Sequence, residues 1–253
     1  VRVAGTLAVV TGASSGIGRA VAVRLAGAGC RLILVGRDEA RLAEVARDTG
    51  GEVVVADLAD SIAVAELAER LARDGAGPDV LVNNAGIGSI GPVAAQDGAD
   101  LDRLLAVNLR APVTLTRSVL PGMLERGRGH LVFVSSIAAI LGVAGESSYA
   151  AVKAGLHVFA ASVHAEVGSA GVGVSTIVPG VVDTEFFVRR GSPYTRRFPR
   201  PIRADRVADA VLRAVERDRA EVIVPAWLRV PVMVRSMAPN TYRRLAARWG
   251  GTS

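Results

Sequence analysis

The stretch TLAVVTGASSGIG, residues 6–18, carries the reading of the fold. Its first half is a short apolar run without polar alternation, the pattern of a strand buried on both faces. Its second half places Gly12, Gly16 and Gly18 at a turn, after which a helical pattern continues to about Ala28. Glycines there let the main chain approach a pyrophosphate closely, and the helix N-terminus offers unpaired N–H groups to the anion. The spacing is G-x-x-x-G-x-G rather than G-x-G-x-x-G, so the motif gains its meaning from its place after the first strand.

The same apolar run recurs downstream at 31–36 (RLILVG), 52–56, 79–83, 130–136, 173–178 and 221–225. Helical patterns separate the runs: 38–48 with Asp38 as N-cap, 61–73, a long segment from near Asp100, a segment holding Tyr149 and Lys153, and 205–217. Strands apolar on both faces, alternating with helices, specify a parallel sheet covered on both sides. Ligands of such sheets bind beyond the carboxyl ends of the strands. The unusual residues gather there: Gly12 to Gly18, Arg37, Asp57, Asn83 to Gly86, Ser136 and Pro179-Gly180.

The 253 residues fit one domain, 1–253, with half the side chains apolar and 21% charged, which excludes a disordered polyelectrolyte. The single cysteine, Cys30, reads as a small core residue, and a reducing, cytoplasmic setting is expected. No leader pattern is read at the start and no apolar run long enough to span a membrane is seen. Charge is uneven: residues 1–185 carry 15 basic and 19 acidic side chains, residues 186–253 carry 15 and 5. The dispersed arginines of the second part read as a solvated face, with nucleic acid or anionic lipid as the alternatives.

Of the 30 basic side chains one is a lysine, Lys153, four residues after Tyr149 and on the same face of a helix. Tyrosine ordinarily ionises near 10, and bringing it to about 7 takes roughly 4 kcal/mol of preferential stabilisation of the phenolate. A nearby ammonium and a positively charged ring can contribute to that, and an ammonium is also a compact donor for ribose hydroxyls. Ser136, 13 residues before Tyr149, ends the fifth strand where its hydroxyl can polarise a substrate oxygen. Its neighbour Ser135 is the competing candidate, pointing to the opposite face. Asn108 interrupts an apolar helix, and a buried asparagine must find partners. At the end of the second strand Gly36 stands where a ribose-binding acid is expected and Arg37 follows, suited to a 2′-phosphate. Asp38 is read as the cap of the next helix.

Taken together, these residues resemble the short-chain dehydrogenase/reductase family in its compact single-domain branch, over about residues 5–185. TGASSGIG (11–18) looks like its cofactor turn, Asp57-Leu58 like its adenine contact, and NNAG (83–86) like the segment after its fourth strand. Asn108, Ser136, Tyr149 and Lys153 match its catalytic tetrad, and PGVVDT (179–184) its nicotinamide segment. The resemblance implies a Rossmann-type doubly wound parallel sheet of about seven strands, with helices on both faces. It implies hydride transfer between NADP(H), rather than NAD(H), and a carbonyl or secondary alcohol. Tyr149 would be the general acid/base, Ser136 would hold the substrate oxygen, Lys153 would bind ribose and lower the tyrosine pKa, and Asn108 would hold a relay water. The implied cofactor contacts are Gly12, Ser14, Ser15, Gly16, Ile17, Gly18, Arg37, Asp57, Leu58, Asn84, Ala85, Gly86, Tyr149, Lys153, Pro179, Gly180, Val182 and Thr184, with no metal. Ser15 departs from the basic residue that NADP-preferring relatives often carry there. The helices from Asp100 and Tyr149 imply a homo-dimer or homo-tetramer.

Residues 185–204 read as an irregular substrate loop over the site, with Phe186, Phe187, Tyr194 and Phe198 as an apolar lining. Arg189, Arg190, Arg196 and Arg197 either meet an anionic carrier or face solvent. In the tail 226–253, Pro231 and Pro239 break any long helix, and packing within an oligomer is expected over peripheral membrane contact. No nucleic acid is expected. The alternatives to the NADP(H) enzyme are an NAD-dependent alcohol dehydrogenase of the same family and a non-catalytic dinucleotide sensor.

Overall fold

The computed structural model describes residues 3–73 and 77–249. In chain order it contains β1 (Leu7–Thr11), α1 (Gly16–Gly27), β2 (Arg31–Gly36), α2 (Glu39–Thr49), β3 (Glu52–Val55), α3 (Ser61–Ala72) and β4 (Val80–Asn83). There follow α4 (Gly98–Leu105), a π-helical turn (Ala106–Arg110), α5 (Ala111–Glu125), β5 (Gly129–Val134), α6 (Ile137–Leu141), α7 (Ser147–Val167) and β6 (Val172–Pro179). The last part comprises β7 (Val182–Asp183), α8 (Phe186–Arg189), β8 (Ile202–Arg203), α9 (Ala204–Arg217), β9 (Glu221–Val224), α10 (Arg229–Met237) and α11 (Pro239–Trp249).

Seven strands form one parallel sheet in the order β3-β2-β1-β4-β5-β6-β9. All seven apolar runs of the sequence are these strands. Their side chains alternate between two cores. In β2, Leu32 and Leu34 join Val21, Leu25 and Val211 on the face covered by α1, α2 and α9. Ile33 and Val35 join Leu67, Leu115 and Leu156 on the face covered by α3, α5 and α7. Each such side chain contributes about 1.5–3 kcal/mol by leaving water, and this two-sided burial is why the strands lack polar alternation.

The order reverses at β1, whose neighbours are β2 and β4, so a crevice opens beyond their carboxyl ends. Two details differ from the sequence reading. The long helix near Asp100 starts at Gly98 and is interrupted by the π-helical turn around Asn108. The irregular 185–204 segment contains the short α8 and is closed at its base by β7 pairing with β8, Val182 opposite Ile202.

The two prolines do divide the tail. Pro231 sits in the first turn of α10, where its missing N–H has no helical partner, and Pro239 opens α11. Much of this tail packs on its own chain. Leu228 joins Val178 and Ile223, Val232 packs there with Ile137 and Ile140, and the Tyr242 hydroxyl donates to the Leu141 carbonyl at 3.3 Å. The end of the tail, 250–253, lies outside the described residues. No described helix is long and apolar enough to cross a membrane.

Candidate active site

Thr11 ends β1 at the reversal point and ties the crevice together. Its hydroxyl donates to the Val82 carbonyl (3.2 Å) and accepts from the amides of Asn84 and Ala85, 3.0 Å each. The Asn84 side-chain amide donates back to the Thr11 carbonyl at 2.9 Å. The glycine turn passes so close to this segment that side chains are excluded. A Cβ on Gly12, whose φ is +67°, would lie 2.9 Å from the Ala85 Cα, and one on Gly18 would lie 2.0 Å from the Gly12 carbonyl oxygen.

Helices α2, α3 and α4 each begin with an aspartate, Asp38, Asp60 or Asp97, whose carboxylate accepts from first-turn amides. Helix α1 is different. Ser15 makes no side-chain cap and the first turn holds no acid, which leaves the amides and the positive end of the helix dipole for an anion. The Ser15 hydroxyl instead accepts from Arg189 Nη1, 3.1 Å away on α8.

Asp38 accepts from the Arg41 amide at 3.0 Å, in line with its reading as a cap. Arg37 lines the groove, with Nη1 3.8 Å from Asp57 Oδ2, and Arg103 holds the same oxygen at 3.1 Å. Burial alone would raise the Asp57 pKa. The Ala59 amide and the two guanidinium groups outweigh it and hold the carboxyl below its ordinary range.

One cavity of about 1560 Å³ is lined by every residue of the expected set except Asn108. It takes in the turn from Gly12 to Gly18, Arg37, Asp57-Leu58, the Asn84–Gly86 segment, Ser136, Tyr149, Lys153, Pro179-Gly180, Val182 and Thr184. Asn108 stands just behind. Its side-chain amide donates to the carbonyls of Ile87 and Leu104, 3.0 Å each, while its buried Oδ1 has no partner. That oxygen faces Gly86, where a Cβ would lie 2.7 Å from it and 3.3 Å from Lys153 Nζ. The π-helical turn aims it there.

Ser136 caps α6, accepting from the Ala138 amide at 3.2 Å, and lines the cavity together with Tyr149. Ser135 turns away and donates to the Lys153 carbonyl at 3.2 Å. Lys153 is buried and donates to the Val134 carbonyl at 2.9 Å, and desolvation lowers its pKa to about 8. Tyr149 is pushed up to about 12, chiefly by burial, with Glu146 adding to the rise and Ser136 and Arg190 opposing it. Burial thus favours the neutral phenol.

Across the cavity lies a run of rings. Phe186 packs 5.6 Å from Tyr149 and 5.5 Å from Phe187, which lies 5.3 Å from Tyr194. Phe198 stacks on Trp227 at 5.3 Å. The four expected aromatic residues all line the cavity. Two arginines have roles the sequence did not mark. Arg189 bridges to Ser15 and pairs with Glu185, which also accepts from Arg41 at 2.7 Å. Arg190 is buried, pairs with Glu146 at 2.6 Å, and lies 4.6 Å over the Phe187 ring. Ser15 and Glu146 are far off in sequence, so no local signal announced those two contacts.

The residues suit a dinucleotide: an uncapped helix end, a turn with no room for Cβ atoms, and an unpartnered Asn108 oxygen beside Lys153. A family model described as "short chain dehydrogenase" matches residues 6–194. The chain belongs to the short-chain dehydrogenase/reductase family, a class of oxidoreductases using a nicotinamide dinucleotide. It is 35% identical over 263 residues to "Probable oxidoreductase EphD" of Mycobacterium tuberculosis, covering 94% of this chain and 42% of that protein, so it spans under half the length of this curated relative. A short-chain dehydrogenase from Sphingobium yanoikuyae solved in complex with NADPH superposes with a TM-score of 0.83 at 30% identity, over 96% of this chain and 95% of that one. A bulky-bulky ketone specific alcohol dehydrogenase from Comamonas testosteroni gives 0.77 at 28% identity, over 97% and 92%.

Proposed function

We propose that this chain catalyses reversible hydride transfer between NADP(H) and the carbonyl or secondary alcohol of an apolar substrate. The observation that carries the reading is that Ser136 and Tyr149 face the same cavity as the glycine turn, with buried Lys153 and the free Asn108 oxygen behind them. The bound dinucleotide supplies or accepts the hydride. Ser136 holds the substrate oxygen, and Tyr149, a protonated phenol, donates its proton in reduction and takes one back in oxidation. Lys153 binds ribose hydroxyls, and Asn108 Oδ1 orders a water that reloads the proton.

Preference for NADP(H) is supported by Arg37 in the groove, by the engagement of Asp38 as a cap, and by the likeness to a protein solved with NADPH. Arg189 brings to Ser15 the cation that the turn itself lacks. The rings of Phe186, Phe187 and Tyr194 suit a substrate with sizeable apolar substituents, the kind named for the Comamonas enzyme. Pairing of two copies through α5 and α7, as the family resemblance implies, belongs to the same reading.

Titration with NADPH and NADH, following energy transfer from protein fluorescence, tests it. NADPH is expected to bind at least about tenfold tighter, since a charge-assisted arginine–phosphate pair contributes roughly 1.5–3 kcal/mol. Bulky aryl ketones should then consume NADPH. A preference for NADH would overturn the role of Arg37, and binding of neither would overturn the enzyme itself.

A further inference from the structure

The two segments that wall the outer cavity, 186–204 and 225–249, contain no acidic residue. All five acids of the C-terminal quarter fall between Asp205 and Glu221. Among the described residues, Arg196, Arg197, Arg200, Arg235, Arg243 and Arg244 are exposed and none is in an ion pair. The apolar side chains beside them are equally open. Phe198 is 67% exposed, Trp227 44%, Val230 62%, Met233 59% and Met237 82%. These are all the exposed phenylalanine, tryptophan and methionine side chains among the described residues. Elsewhere the exposed apolar groups are single aliphatics on separate elements, such as Val23, Ile62 and Val158.

Val230, Met233 and Met237 follow the i, i+3, i+7 spacing and form one stripe along α10. The same helix lines the cavity through Val230, Pro231 and Val234. Phe198 and Trp227, stacked together, line it as well. An apolar strip thus runs without a break from the outer surface into the cavity, flanked by cations. A monomeric protein surface rarely concentrates open rings and thioethers in one place. An acidic protein partner would engage the arginines but would leave no reason for flexible apolar side chains this exposed. A bilayer uses both: the apolar groups enter the acyl boundary while arginines remain at the headgroups.

We propose that the mouth of the cavity docks on a lipid bilayer bearing anionic headgroups, so that an apolar substrate passes from the bilayer directly into the cavity. The docking surface stands apart from the reaction assigned above; only the delivery of substrate rests on that reading.

Co-sedimentation of the full chain with vesicles of phosphatidylcholine, alone or with roughly 30% phosphatidylglycerol, tests the surface at about 0.1 M salt. Pelleting with the anionic vesicles, and release as salt rises, is expected. Replacing Arg235, Arg243 and Arg244 together by Gln should lower partition on the order of tenfold to a hundredfold. Met233→Ser with Met237→Ser should lower it on the order of tenfold, each methionine side chain losing a buried apolar contact with the acyl chains. In a Trp249→Phe protein, Trp227 is the sole indole, and its emission should shift to the blue on anionic vesicles. NADPH binding and melting should stay unchanged in the arginine and methionine variants, since those side chains are exposed and outside the cofactor groove.

Wild-type protein left in the supernatant would overturn the proposal. So would equal pelleting with both vesicle types, or pelleting insensitive to the arginine replacements. Light scattering adds a further arm: if the methionine variant converts an oligomer to a monomer and vesicles never bind, a second copy covers the stripe and the bilayer does not.

Discussion

On the cofactor side of the cavity a single hydroxyl, Thr11 Oγ1, engages three backbone groups, and glycines at 12 and 18 let two chain segments touch. On the opposite side, rings and guanidinium groups do the work of holding the wall, through Phe186 against Tyr149 and Arg190 against Glu146. The first wall is main chain held by buried hydrogen bonds and has one arrangement. The second consists of side chains on short elements whose contacts are long in sequence. A rigid wall suits an invariant cofactor, and a replaceable wall lets the substrate differ among proteins of one fold.

The largest effect that separates the walls is expected where they meet. Tyr149→Phe should cut turnover about 10³-fold or more, the range of a lost general acid, while the dissociation constant for NADPH stays within about twofold. Lys153→Met should instead damage both turnover and cofactor binding. Equal losses of binding in the two variants would show that the tyrosine belongs to the cofactor wall alone.

Next in size is Arg190→Met. It leaves the Glu146 carboxylate buried without its partner, a change that typically costs about 3–5 kcal/mol. Thermal unfolding should fall by about 10 °C in a chain of this size, and pairing it with Glu146→Gln should recover much of the loss. A fall within error would mean that the aromatic wall is already solvated and not held by this pair.

A third prediction lies beneath both walls. His130 is buried on β5 with Nε2 2.8 Å from the Ser175 hydroxyl, and desolvation lowers its pKa to about 4. Its folded pKa lies below its unfolded value near 6.5, so below that pH the unfolded chain binds more protons. Stability is therefore lost as pH falls from about 6.5 toward 4, by about 3 kcal/mol for this group. Urea unfolding at pH 7 and pH 4.5 measures it, and His130→Gln should flatten the difference. An unchanged slope would place the acid sensitivity in the walls.

Smaller again is Arg37→Ala, which should weaken NADPH about tenfold and leave NADH unchanged. The smallest is Asp38→Ala, expected to cost about 1 kcal/mol of stability as a lost cap without altering the choice of cofactor. A shift toward NADPH in that variant would show that Asp38 also meets the ribose.

The rigid wall was legible in the sequence because its causes are local. Seven apolar runs, a glycine turn, Asp38 before the second helix and a tyrosine four residues before a lysine each occupy one short window. Arg190 finds Glu146 44 residues away, and Arg189 finds Ser15 across 174. Such pairings follow from how α8 crosses the crevice, and nothing in FFVRRG distinguishes the arginine that is buried from the one that is not. Likewise AVNLR, residues 106–110, is ordinary helical sequence, and the wider turn it forms in the fold, with Asn108 donating to the distant Ile87 carbonyl, has no local mark.

That wider turn has a consequence for how this chain tolerates change in length. A π-helical turn holds one residue more than the regular screw, and each residue advances the helix by about 100°. Upstream, Leu104 is buried; downstream, Leu115, Val119 and Met123 are buried in a second cluster, and the wide turn takes up its extra residue without re-phasing the helix on either side. Deleting one position between 106 and 110 would close the wide turn into a regular helix and leave the inward stripe of α5 in register with the sheet. The fifteen-residue helix α5 would keep its place while the Asn108 oxygen lost its own, so a deletion there strikes the site and spares the core.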